Sequence, residues 1–374
     1  KHSFHLLLLA ENETGYRNLL KIASAAQLEG FYYYPRVDHE FLARHSEGII
    51  ATTSCMSGEV PRAILHKGVE AGREMLDWYY SVFGADNFFI ELQSHDIAEL
   101  PALNKTLVDL GKRYNARYIA TNDVHYIDRT DARLQDIMLS IQTGSLLSDP
   151  NRMRMTGDSF YLRSPEEMAA LFPDHPESLS NTLEIAERCE VDLARKGYHL
   201  PQFPVPEGFT AETYLRKLCE EGLLRNYGEH AKDKEVRDRL EYELSVIHTM
   251  GFDAYFLIVW DFVRHSREMG VPATARGSGV GALVCFALYL SHVCPIKYDL
   301  LFERFLDENR KEAPDIDIDF CKERRGEIIR YVKEKYGESN VAQIGTFGTL
   351  QAKAAIKDVG RALGLPLGRV SEIT

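Results

Sequence analysis

The chain has 374 residues, a formal net charge of -12, 45% hydrophobic and 27% charged residues. That length suits two or three domains, and the acidic total excludes a small basic nucleic-acid-binding module. The longest apolar run, Ala282–Leu290, is far too short for a membrane span. The opening KHSFHLLLLAEN lacks the charged region and cleavage site of a secretory signal. Six cysteines with no C-x-x-C pair exclude a disulfide framework, a zinc ribbon and a thioredoxin motif. A reducing cytoplasm is the expected compartment.

In chain order, the first 130 residues alternate apolar runs (His5–Ala10, Gly48–Thr53, Asn87–Leu92, Arg117–Thr121) with helical patterns (Thr14–Leu28, Ala63–Phe83, Ala98–Tyr114). That alternation predicts parallel strands joined by crossover helices, as an α/β barrel or an open doubly wound sheet. Successive apolar positions in FFIEL and YIAT predict strands buried on both faces. Residues 131–190 read as helices and loops ending in a helix over Glu177–Glu190. The proline-rich stretch KGYHLPQFPVPEGF (196–209) is the best domain boundary. Beyond it the periodicity predicts helices over Thr210–Tyr227, Val236–Met250 and Ala254–Met269.

The most informative segment is Ala313–Cys321, APDIDIDFC. In a strand, Asp315, Asp317 and Asp319 share one face, and Ile316, Ile318 and Phe320 the other. Same-face neighbours lie roughly 6.5–7 Å apart, so two carboxylates can straddle a pair of divalent ions about 3.5–4 Å apart. Bare carboxylates in that row repel one another, so a positive group is expected among them, and oxygen ligands favour Mg²⁺ or Mn²⁺.

Upstream, GVPATARGSGVGALVCFALYL (270–290) is a glycine-rich turn leading into an apolar helix. Exposed amides, a helix N-terminus and Arg276 predict a phosphate site. The same residues satisfy G-x-G-x-x-A through Gly277, Gly279 and Ala282, with Asp299 near the spacing of a ribose-binding acid. A nicotinamide-dependent oxidoreductase is therefore a rival reading. Downstream, Lys353, Lys357 and Arg361 recur every four residues and predict one basic helical stripe. Residues 321–374 hold ten Lys/Arg against six Asp/Glu, while residues 1–320 hold 34 against 50. Positive charge thus gathers just after the acidic strand, where phosphates would arrive.

Five stretches together resemble a known family: MGFDAYFLIVWDFV (250–263), ARGSGVGALV (275–284), YDLLFERFL (298–306), PDIDIDFC (314–321) and QIGTFGTLQAKAAIKDVGRALG (343–364). They resemble the bacterial C-family replicative DNA polymerases, the DnaE-type alpha subunits of DNA polymerase III. The resemblance implies an α/β and α+β multidomain chain. Residues 1–190 would be part of a PHP (polymerase and histidinol phosphatase) domain, a distorted β/α barrel. Residues 191–348 would be the first part of a polymerase-beta-like nucleotidyltransferase palm, and residues 349–374 the start of the thumb.

It further implies that Asp315 and Asp317 are catalytic ligands of two Mg²⁺, with Asp319 an accessory acid. Gly277 and Ser278 match the family's phosphate-contacting pair, beside Arg276, and Arg304 matches an arginine at the incoming triphosphate. Lys353, Lys357 and Arg361 are expected to contact DNA. In the N-terminal part, His5, Cys55, Asp123 and His125 match ligands of a Zn²⁺- or Mn²⁺-type cluster, and His95 a common family residue without an assigned role. ATARGS stands where the family usually has GPGRGS, and Tyr34 where a lysine is common.

The family's opening His-x-His strand is expected to precede Lys1. The third catalytic carboxylate, most of the thumb, the fingers and the clamp-binding parts are expected beyond Thr374, so the cluster would be incomplete and the segment alone inactive. Expected partners are primer–template DNA, deoxynucleoside triphosphates, the sliding clamp and the proofreading subunit. A PHP phosphoesterase or exonuclease as the only active part is the alternative.

Overall fold

The computed structural model describes residues 3–194, 201–307 and 314–374. Of the expected boundary, residues 196–200 lie outside the described residues, as does Ala313 of the acidic segment. The chain divides into two compact units, Lys1–Ala194 with Gly348–Thr374, and Arg195–Phe347.

The first unit is built on a four-stranded sheet of strands β1 (Leu8–Ala10), β2 (Ile49–Thr52), β3 (Phe88–Gln93) and β4 (Arg117–Thr121), in that order. β2, β3 and β4 run parallel, as the intervening helical patterns predict. β1 does not: it pairs antiparallel with β2, Leu8 opposite Ala51 and Ala10 opposite Ile49. The helix after β1, Glu13–Leu28, starts against the residue that precedes β2. A Cβ on Gly15 would lie 1.8 Å from the Gly48 carbonyl oxygen. The end of β1 and the start of β2 are therefore held together, which a parallel crossover forbids.

All six residues of β3 are buried. Its Phe88, Ile90 and Leu92 pack with Leu76, Tyr79, Leu103 and Leu107 of the covering helices. The expected Ala63–Phe83 helix is two helices, Glu59–Lys67 and Val69–Phe83, broken at Gly68, whose φ of +96° suits glycine. A short helix, His39–Arg44, capped by Asp38, had no periodic signal. The helices Ala132–Thr143 and Ala352–Ala362 pack together in this unit; the Leu147 amide donates to the Ala362 carbonyl at 2.9 Å. Residues 349–374, expected to open a third domain, cluster with the first unit, and Gly360 of that helix packs against Val370.

The second unit contains the long helices Ala211–Tyr227, Lys234–Thr249 and Asp253–Glu268, close to their predicted spans. Around them lie a two-stranded antiparallel sheet, β5 (Ala273–Arg276) and β6 (Asp317–Phe320), and the helix Arg325–Tyr336. Leu215, Leu223, Leu244, Ile247, Phe256 and Leu283 form its core. Gly222 lets Ala211–Tyr227 close on the chain at Ala287: a Cβ there would lie 1.9 Å from the Ala287 oxygen.

Asp261, 1% exposed, anchors Arg325–Tyr336 to the helix Asp253–Glu268. Lys335 Nζ (2.6 Å), Tyr331 Oη (2.9 Å), Tyr336 Oη (3.0 Å) and Arg264 Nη2 (3.1 Å) all donate to its carboxylate. Burial opposes ionisation, but these donors outweigh it and hold the carboxyl below its ordinary range. Among the described residues no single helix is long and apolar enough to cross a membrane.

Candidate functional site

The β5–β6 pair sets Arg276 opposite Asp317 and Thr274 opposite Asp319. Alternation puts the two aspartates on the outer face, while Ile316, Ile318 and Phe320 pack against the core. Asp315 lies in the extended segment just before β6 and is exposed. Arg276 sits between the two strand acids, its Nη1 3.2 Å from Asp317 Oδ2 and its Nε 3.1 Å from Asp319 Oδ1. A cation therefore offsets part of the charge of these two acids. With Arg276 60%, Asp317 37% and Asp319 62% exposed, the pairing is screened by water, and such pairs are worth about 0–1 kcal/mol each. The carboxylates are open and only weakly committed. Aspartate oxygens of this kind suit Mg²⁺.

The chain turns directly from β5 into the glycine segment. Gly277 has φ +71°, and a Cβ there would lie 3.2 Å from Asp317 Oδ2. Glycine both permits the turn and lets its backbone approach the acid. Gly277 and Ser278 are exposed beside the carboxylates.

The rest of the expected phosphate site is different. The helix that follows is short, Leu283–Ala287, and its first amides are taken: Leu283 and Val284 N–H each donate at 2.9 Å to the carboxylate of buried Glu243. No helix N-terminus is left for phosphate there. The dinucleotide reading fails for a related reason. Among the described residues β5 pairs only with antiparallel β6 in a two-stranded sheet, and a parallel β-α-β crossover is what that fold requires. Arg304 is exposed at the end of the turn Phe302–Arg304. Lys353, Lys357 and Arg361 lie on the helix Ala352–Ala362 and are exposed along it. Arg361 Nη2 also reaches the Ile141 carbonyl at 3.4 Å.

In the first unit, His5, Ser54, Cys55, Glu91, Asn122 and Asp123 line one cleft of about 300 Å³. Ser54 and Asp123, just past β2 and β4, have φ of +59° and +43°. Non-glycine residues held there carry strain, which gathers at functional sites. His5 Nδ1 is 3.4 Å from Cys55 Sγ. Burial pushes the Cys55 thiol up, and Asp123 and Glu91 add to the shift, so a bound cation would be needed to favour the thiolate.

Glu91 was not anticipated. It accepts hydrogen bonds from Thr52 Oγ1 (2.7 Å), Thr121 Oγ1 (2.5 Å) and Gln93 Nε2 (2.9 Å). A single acid inside the apolar run FFIEL was the available signal. His125 stands apart from the cleft lining; its Nδ1 bonds the Asp123 carbonyl oxygen at 2.6 Å. His95 bonds Ser159 Oγ at 2.8 Å and stacks on Phe160, and burial lowers its pKa. Among the described residues no three His, Cys, Asp or Glu side chains converge as a closed metal centre.

One unit thus carries an acidic strand beside a glycine turn, and the other an α/β sheet with a polar cleft at its strand ends. Residues 1–95 match the PHP domain family and residues 213–374 the bacterial DNA polymerase III alpha NTPase domain family. Proteins named DNA polymerase III subunit alpha are similar along nearly the whole chain. That of Treponema pallidum is 46% identical over 99% of this chain and 32% of its own length. That of Borreliella burgdorferi is 48% identical over 100% and 33%, and that of Thermus aquaticus 40% identical over 99% and 35%. The chain thus joins a PHP-family segment to a bacterial DNA polymerase III alpha NTPase segment, and it spans about a third of the length of these relatives.

Proposed function

We propose that this chain supplies the PHP region and the first part of the palm of a template-directed DNA polymerase. The reaction is nucleotidyl transfer: the primer 3′-oxygen bonds to the alpha phosphorus of a deoxynucleoside triphosphate, and pyrophosphate leaves. The observation that carries this reading is the approach of the Gly277 turn to Asp317, where its backbone could meet a phosphate beside the carboxylates.

Asp315 and Asp317 would hold two Mg²⁺, with Asp319 as an accessory acid. When bound, the pair activates the attacking oxygen and neutralises charge on the leaving group. Arg276 would exchange its aspartate partners for a phosphate oxygen, and Gly277, Ser278 and Arg304 would hold the triphosphate. Lys353, Lys357 and Arg361 would touch the DNA backbone.

In the polypeptide carrying this stretch, Asp317→Ala should abolish primer extension while primer–template binding persists. Near-normal extension by that variant would sink the assignment. Replicase partners, including the sliding clamp and the proofreading subunit, and a cytoplasmic setting follow from the same reading.

A second reading concerns the first unit. The strained cleft with His5, Cys55, Glu91 and Asp123 favours a metal-dependent phosphoesterase or exonuclease site in a PHP barrel, with His125 nearby. Zn or Mn retained after purification, and lost in Cys55→Ala with Asp123→Ala, is the expected result; a metal-free wild type would reject it.

A further inference from the structure

Two segments of the proposed triphosphate site, the glycine turn and the Leu300–Arg304 loop, come from separate stretches of the chain, and neither carries a long element of regular structure. What fixes their separation lies behind them, on the helix Lys234–Thr249. Arg239 Nη2 donates to the Gly281 carbonyl at 2.9 Å and to the Leu300 carbonyl at 3.0 Å. Its Nε donates to Glu243 Oε1 at 2.7 Å. Glu243, 0% exposed, accepts from Leu283 N–H through Oε1 and from Val284 N–H through Oε2. Gly281 itself is so close to the loop that a Cβ would lie 2.9 Å from the Leu301 oxygen. One guanidinium thus bridges the end of the turn and the start of the Arg304 loop, and one carboxylate locks the chain just after the turn.

A buried ion pair is a poor source of stability, since desolvation offsets most of the attraction. Its use here is geometric. Arg239 reaches its three acceptors from two nitrogens of a rigid planar fork; lysine has one nitrogen and no fork.

We propose that Arg239 and Glu243 are positioning residues for the triphosphate site, holding the Gly277–Gly281 turn and the Arg304 loop at the separation that a bound triphosphate spans. This rests on the polymerase reading above. The pair touches no reacting atom and acts only through the two loops.

The test uses Arg239→Lys, which keeps the charge, and Glu243→Gln, which keeps the shape, in the full-length polypeptide. The expected result for each is a KM for deoxynucleoside triphosphate raised about tenfold, from misplacement of binding groups. The kcat and primer–template affinity should stay within about twofold. In the 374-residue chain, hydrogen–deuterium exchange should quicken in 277–283 and 300–304 together, while the Lys234–Thr249 helix keeps its protection.

A pair that only balances charge in the core predicts an unchanged KM in Arg239→Lys, and that result overturns the proposal. Loosening of the helix without coupled loosening of the two loops also overturns it, and this readout does not need an active enzyme. Asp317→Ala is measured alongside. If it still extends primers, the polymerase reading falls; if it is inactive while Arg239→Lys has a normal KM and normal exchange, only the positioning role falls.

Discussion

Removing Arg276 should tighten divalent-cation binding at the acidic strand, and the structure bounds by how much. The guanidinium pairs with Asp317 and Asp319 at 3.2 and 3.1 Å, yet all three side chains are more than a third exposed. Two exposed ion pairs of about 0–1 kcal/mol each put the cost of freeing the acids near 1 kcal/mol, about a fivefold change in binding constant. Arg276→Gln should therefore tighten Mn²⁺ binding by roughly fivefold at low salt. The gain should shrink in high salt, where exposed charges are screened.

Titration calorimetry on the 374-residue chain measures this, with the same substitution in an Asp317→Ala background as a double-mutant cycle. The gain should vanish in that background, which separates this site from any metal in the PHP cleft. The same variant should bind Mg²⁺–triphosphate more weakly, because the cation that meets phosphate is gone. An unchanged Mn²⁺ affinity, or a gain that survives loss of Asp317, would refute the idea that Arg276 holds the metal position in the absence of ions.

Asp261→Ala should destabilise the second unit by about 3–5 kcal/mol, since it leaves Lys335 and Arg264 without their buried partner; chemical denaturation checks this. Because the Asp261 carboxyl is held below its ordinary range, its contribution is present at neutral pH. It is lost as pH falls below about 4 through the depressed value, so wild type and Asp261→Asn should converge in stability toward low pH. Gly222→Ala should lower stability by about 1–3 kcal/mol, the usual cost of overpacking, because the helix cannot move off Ala287 without opening the core; an unchanged melting curve would contradict that close approach. Replacing Lys353, Lys357 and Arg361 by alanine should reduce the salt slope of primer–template binding by roughly 0.9 for each phosphate that is no longer neutralised. An identical slope would remove these residues from the interface.

What could be read from the sequence was what repeats locally. The 3.6-residue periodicity located the three long helices of the second unit, and strict alternation placed Asp317 and Asp319 on one strand face. What could not be read depends on residues distant in sequence. The reversed sense of β1 follows from Gly15 meeting Gly48. The loss of the helix N-terminus as a phosphate site follows from Glu243, forty residues upstream of Leu283. Arg276 was noted as a phosphate ligand, but its place between two aspartates needed the register of β5 on β6. The break at Gly68 was visible in principle; an unbroken apolar pattern on both sides hid it.

The central claim is that Asp317 binds the catalytic metal, and a change of ligand softness tests it most directly. Single-nucleotide incorporation by Asp317→Cys in the full-length polypeptide should be abolished with Mg²⁺, which avoids sulfur, and partly restored by thiophilic Cd²⁺ or Mn²⁺. Asp317→Ala should show no such rescue. Near-wild-type incorporation by Asp317→Cys in Mg²⁺ would contradict a metal at this carboxylate.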